Sequence, residues 1–273
     1  MVRALLLLAV FLVGFWTMHD IGFTPRVTTL SAMPSEMRRV LNSSVQFGWR
    51  NRSVRLLMIV SLFHGGFLMW GFYAWQPYFL ELLGSDAVWV AGIVAALTAL
   101  ATIAGNALVE FFGRFCAGRT TLLIAASMVM VAATVGVGLV DSFWLAAALL
   151  LVASAAEGVG TPVQQAYLHH AIPSSERATV ISSVSLVANF GGIGGQLGLG
   201  YLSRARSVAA GYVTGGLVMV PALPLLILLR RMSEHADVIS GRRVGKRGPC
   251  AAQGLPQVAS VDTTARQPTV STR

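Results

Sequence analysis

The sequence predicts an all-α fold, a polytopic membrane bundle of about seven transmembrane helices. Three observations carry that prediction. From Ala4 to Leu229 the chain is filled with long apolar runs, each parted from the next by a short polar patch. A bilayer core about 30 Å thick asks for helices of roughly 20 such residues, and only helices or closed barrels satisfy their backbone groups there. Hydrophobic residues make up 55% of the 273 residues and charged ones only 11%, against roughly 25% charged in a soluble domain. Most of the charges lie between the runs rather than inside them.

The first run, Ala4 to Met18, follows Met1-Val2-Arg3 and resembles the start of a secretory signal. Trp16-Thr17-Met18-His19-Asp20 lacks the small residues of a cleavage site. Residues 1–18 are therefore expected to be a first transmembrane helix. A basic cytoplasmic loop is expected over 19–55, with Arg26, Arg38, Arg39, Arg50, Arg52 and Arg55. Within it Pro34-Ser35-Glu36 reads as a helix start. A six-helix half-bundle is expected over 56–229. Its spans are roughly 56–80, ending near Gln76-Pro77, then 88–111, 120–140, 143–168, 178–202 and 208–229. Residues 230–273 form a basic tail that turns Gly-, Pro-, Ser- and Thr-rich, the composition of a disordered segment.

Positive charge sets the expected orientation. The 19–55 loop, the turn Gly113 to Arg119, the break His169 to Arg177 and the tail are alternate connections, and all are basic. By the positive-inside rule they and the tail face the cytoplasm; Arg3, Arg204 and Arg206 are exceptions. Because the bases flank apolar spans, retention of loops explains them and nucleic-acid binding is not expected. Cys116 and Cys250 are far apart and His169-His170 has no companion ligands, so neither a disulfide framework nor a metal site is expected. No cofactor is expected either. The glycines of the 178–202 span superficially suggest a dinucleotide fingerprint, but no strand precedes them.

The polar groups inside the spans are the candidates for chemistry. Glu157 sits mid-span, where an acid costs roughly 2.5–3.5 kcal/mol unless it is neutral, paired or wetted. Gly158, Gly160 and Pro162 follow at once and favour local loosening, and Thr161 and Gln164 lie one and two turns on along the same face. Proton or substrate-charge handling is one reading of Glu157; an assembly contact is the other. His64, beside Gly65-Gly66, is either a proton relay or a bonded structural residue. Trp70, Tyr73 and Gln76 approach the outer end of their span, as an interfacial belt or as a pocket wall for aromatic or cationic compounds. In the 178–202 span Ser182, Ser185, Asn189, Gly192 and Gln196 form one helical stripe. Gly191/Gly195 and Gly194/Gly198 are overlapping Gly-x-x-x-Gly pairs. Such pairs let helices approach closely in lipid, so this helix reads as a packing and sliding seam. Arg114 and Arg119 anchor their loop, with gating contacts as the alternative.

Several stretches together resemble the second half of a bacterial major facilitator superfamily transporter, with a drug-efflux-like flavour. They are His64-Gly65-Gly66, Tyr73 to Tyr78, Gly105 to the Gly118-Arg119 turn, Pro162 to Tyr167 running into Ile172 to Thr179, and Gly198 to Leu202. The resemblance covers about 4–232 and aligns the chain with helix six, the central loop and helices seven to twelve. The family's loop motif, Gly-x-x-x-Asp-Arg-x-Gly-Arg, is only loosely present: Glu110 is the nearest acid, and Gly118-Arg119 closes it after extra residues. The resemblance implies that the 56–80 and 143–168 spans line a cavity in equivalent positions of an internal repeat, and that the 120–140 and 208–229 spans lie outside against lipid. It implies a multi-pass protein of the bacterial cytoplasmic membrane, its tail in the cytoplasm. Such a protein moves small organic solutes by alternating access, with proton-coupled efflux as the finer reading. The missing first five helices read as a truncation, a mis-set start, or a half that pairs with a complementary transporter half. A non-transporting relic or association subunit is the alternative function. An enzyme is not expected, and the lack of a lysine within any span argues against a retinal protein.

Overall fold

A computed structural model describes residues 2–17, 48–84, 87–116, 118–174, 176–232 and 235–237. The expected helix start at Ser35, most of the 19–55 loop and most of the tail lie outside the described residues. The elements are α1 (Val2–Thr17), α2 (Arg52–Leu83), α3 (Val88–Ala107), α4 (Val109–Phe115), α5 (Arg119–Leu139), α6 (Phe143–Ala171), α7 (Arg177–Ala205), α8 (Val208–Met219) and α9 (Ala222–Arg231), followed by one 3-10 turn, His235–Asp237.

Six helices among the described residues are long and apolar enough to cross a membrane, α8 and α9 together making the sixth. Seven were expected. The first run is described as α1 over 16 residues, and the residues that follow Thr17 lie outside the described ones.

The boundaries follow local chemistry. Asn51 caps α2 by accepting from the amides of Ser53 and Val54, so the helix begins inside the segment expected as loop. It also runs straight through Pro77 to Leu83, where the sequence suggested an end near Gln76-Pro77. A proline inside a membrane helix is tolerated when neighbours re-satisfy the freed carbonyl. Gly84, at φ 64°, closes the helix in the left-handed region and returns its N–H to the carbonyls of Leu80 and Glu81. The 88–111 span divides at Leu108 into α3 and α4, and the last span breaks at Val220-Pro221.

Glycines decide which helices meet. A Cβ on Gly65 would strike the backbone of Ala188, and one on Gly191 would strike the backbone of Leu62, so α2 and α7 touch main chain to main chain. A Cβ on Gly158 would strike Thr102, and one on Gly105 would strike Ala155, which brings α6 and α3 together in the same way. The two seams are copies. Leu62, His64 and Gly65 correspond at one constant offset to Ala155, Glu157 and Gly158, while Ala188 and Gly191 correspond to Thr102 and Gly105. This is the three-plus-three repeat written in contacts.

The apolar interior has two centres. One gathers Val54, Leu57, Leu168, Ile172, Val180, Leu226 and Leu229. The other gathers Phe67, Trp70, Tyr78, Phe79, Phe143 and Tyr212, with Trp70 and Tyr212 edge to face at 5.2 Å. Tyr78 donates its hydroxyl hydrogen to the carbonyl of Val137 at 3.0 Å, which suits a ring whose polar tip is buried. The helices differ in how much of each is covered by the rest of the chain. In α5 and in α8–α9, 44% and 39% of the apolar window is buried, against 17% in both α3 and α7. α5 packs on both α6 and α8 with one face and leaves Met128, Val129 and Leu139 exposed on the other; α3 and α7 are the least covered pair among the described spans.

Candidate functional site

Where the two apolar centres meet, a cavity of about 140 Å³ opens between α2, α5, α6, α7 and α9. Its polar lining comes from Ser61 and His64 on α2, Ser127 on α5, and Glu157, Thr161 and Gln164 on α6. The i, i+4, i+7 spacing places the three α6 residues on one face, and the bond from Gln164 to Ser61 sets that face against α2. Gly160, with nothing within 4 Å of a Cβ built upon it, leaves part of the wall open.

Two bonds organise the lining. Thr161 donates to Glu157 Oε1 at 2.8 Å. Gln164 Nε2 donates to Ser61 Oγ at 2.7 Å and ties α6 to α2. The Nε2 of His64 is buried and has no hydrogen-bond partner among the described residues. The arrangement offers one carboxylate, one imidazole and a set of neutral donors and acceptors, inside walls that are otherwise aliphatic. It can exchange protons and can receive a cation or a hydrogen-bonding solute; no Arg or Lys is among its lining residues.

His64, Glu157, Thr161 and Gln164 are thus brought together. The expected aromatic wall is not part of the cavity. Trp70 is 4% exposed and packed among Phe67, Tyr78 and Tyr212, whereas Tyr73 and Gln76 lie on the exposed side of α2. Each step of three residues turns the helix back by roughly 60°, so Gln76 lies about 120° from Trp70 and the two face different surroundings. On α7 the glycines divide. Gly191 and Gly195 face α2, while Gly194 and Gly198 have nothing within 4 Å and lie exposed with Asn189 and Gln196. The stripe Ser182, Ser185, Asn189 and Gln196 therefore points away from the seam, and only Gly192 of that row is buried. At the helix ends Arg114 pairs with Glu110 at 3.0 Å on an exposed surface, and Arg119 Nη1 donates to the carbonyl of Ala236 at 2.7 Å.

Ser61 and Ser127 escaped the sequence reading. Ser61 lies one turn before His64, a usable signal. Ser127 lies in a span that carries no charge and gave none. No group of three or more His, Cys, Asp or Glu among the described residues could hold a metal ion.

A family model described as Major Facilitator Superfamily matches residues 90–261, more than half of the chain. The chain belongs to that superfamily, a family of membrane transporters, and is a multi-pass integral membrane protein. No curated protein matches it. Among solved structures it is similar to a bacterial homologue of the human lysosomal transporter Spinster, in an inward-facing and unoccupied conformation. The identity is 16% and the TM-score 0.43, over 81% of this chain and 54% of that one. The chain thus spans about half the length of that transporter.

Proposed function

We propose that this chain forms one half of an alternating-access transporter for small organic solutes, driven by protons and exporting drug-like compounds. The observation that carries the reading is the mid-membrane cavity in which His64 and Glu157, equivalent residues of the two repeats, line one space with Thr161 and Gln164. A mid-span acid is retained at an energetic cost, and such residues mark proton or substrate paths. Glu157 is assigned the coupling proton, His64 its exchange partner, and Thr161 and Gln164 the hydrogen bonds that hold the lining in place.

The second half of the machine is assigned to the uncovered side. α3 and α7 are the least buried spans, and α7 exposes Ser182, Ser185, Asn189 and Gln196 along its length. Side chains of that kind avoid lipid and turn to water or to another helix. A complementary half facing α3 and α7 would enclose a watered path beside them, with rocking between the halves giving access to each side. The basic ends, at Arg52, Arg55, Arg114, Arg119, Arg230 and Arg231, support a cytoplasmic placement for that end and for the tail of a bacterial cytoplasmic-membrane protein.

The test uses inverted membrane vesicles from the source cell, with the wild-type chain, Glu157→Gln in its place, or the chain deleted. Accumulation of fluorescent organic dyes is driven by an imposed pH gradient. The expected result is accumulation in wild type that is lost in both other preparations. Equal accumulation with and without the chain would overturn transport; full accumulation by Glu157→Gln would remove the carboxylate from the coupling role.

A further inference from the structure

The start of α5 is capped from the far end of the chain. Gly118 heads the helix and brings no side-chain cap of its own. The free amide of Thr120 donates instead to Asp237 Oδ1 at 2.6 Å, and Arg119 Nη1 donates to the adjoining carbonyl of Ala236. Ala236 is 6% exposed and joins the same apolar centre as Leu168 and Ile172. Gly118 is the residue that allows the approach, since a Cβ there would lie 2.6 Å from Asp237 Oδ2. The acid nearest the loop in sequence, Glu110, is occupied by Arg114 on the surface. The carboxylate at the Gly118-Arg119 turn therefore comes from a residue 117 positions away from its amide partner.

We propose that the turn His235–Asp237 is a strap that buckles the end of the last membrane helix onto the loop between α4 and α5, with Asp237 as the clasp and Gly118, Arg119 and Thr120 as its seat. A carboxylate at a helix N-terminus satisfies orphan amides and meets the positive end of the helix dipole. The guanidinium of Arg119 adds a second attachment. The turn contacts both α5 and α6, helices of different repeats, so a closed strap holds the two repeats together at their basic end. Opening it uncaps α5, withdraws Ala236 from the apolar centre and frees the loop.

The strap is tested on the full chain in detergent micelles and in lipid nanodiscs. In a Cys250→Ser background Cys116 is the remaining thiol, half-buried against the centre that holds Ala236. Its rate of labelling by a maleimide reads strap opening. Asp237→Ala is expected to raise that rate about fivefold, the change that loss of an N-cap worth ~1 kcal/mol would give. Gly118→Val, which pushes the carboxylate off its seat from the other side, should act in the same direction and tests the strap independently of the Ala variant. Separately, Gly118→Cys with Asp237→Cys, in a background lacking both native thiols, should bridge on mild oxidation, as read by mass spectrometry. The strap is overturned if Asp237→Ala and Gly118→Val both label at the wild-type rate, whether or not the bridge forms. It is also overturned if no bridge forms.

Discussion

Ser61 and Gln164 show how little a polar contact in lipid has to contribute in order to position a helix. Their hydrogen bond, 2.7 Å long, links α2 to α6 one turn from His64 and two turns from Glu157. Interhelical bonds of this kind average about 0.6 kcal/mol and reach ~1.7. A double-mutant cycle of Ser61→Ala and Gln164→Ala, read by unfolding in denaturing detergent, should give a coupling energy in that range. Thr161→Val removes the hydroxyl that donates to Glu157. In the vesicle assay it should slow proton-driven dye accumulation without lowering the amount of folded chain, measured by size-exclusion recovery. Unchanged rates would show that Glu157 needs no help from its own helix. Glu157 itself was legible in the sequence, because one acid in the middle of an apolar run declares a cost. The pairing of Gln164 with Ser61 was not, since no local pattern records which face of α2 meets α6.

At the scale of the element, the glycines are the discriminating residues. Gly191 sits where an added methyl group would meet the backbone of Leu62, and Gly194, three residues on, sits where it would meet nothing. Overpacking of a close contact costs typically about 1–3 kcal/mol, whereas substitutions at open positions usually stay within roughly 0.5 kcal/mol. Gly191→Ala should therefore lower the thermal midpoint of the detergent-solubilised chain, and Gly194→Ala should leave it in place. The same contrast is expected between Gly158→Ala, which faces Thr102, and Gly160→Ala, which faces open space. A fall of equal size in both members of either pair would mean that the seams are not where the chain is tightest. The sequence offered two Gly-x-x-x-Gly pairs on α7 and no means of choosing between them. In a bilayer both the inside and the outside of a bundle are apolar, so hydrophobic pattern marks the length of a helix far better than its faces. For the same reason the continuation of α2 through Pro77 was not legible: a rule learned from helices in water overstates the break.

On the scale of the whole molecule, α5 is more buried within this chain than α3 and α7 are, a ranking that belongs to contacts inside the chain and leaves open which helices meet lipid. The helices with the most to hide from lipid, such as α7 with Asn189 and Gln196, are those left uncovered. If a complementary half covers them, single cysteines at Ser185 and Asn189 should react slowly with a lipid-soluble maleimide in native membranes and quickly in the purified chain. Equal reactivity in the two settings would place these residues against lipid or bulk water in both. The membrane class was legible from run lengths, and the repeat only through the family resemblance. The strap was not, because its two partners lie 117 positions apart in the sequence and no local pattern links them.

The buried indole of Trp70 gives the molecule an optical gauge of its own. It lies edge-on to Tyr212 at 5.2 Å and 6.2 Å from the ring of Phe67, while Trp89 and Trp144 are largely exposed. Emission from Trp70 reports on the fit between α2 and α8, shielded from the quenchers that reach the exposed indoles of Trp16, Trp49, Trp89 and Trp144. A sliding of those helices by a fraction of a turn would change its colour and its lifetime, with no label attached.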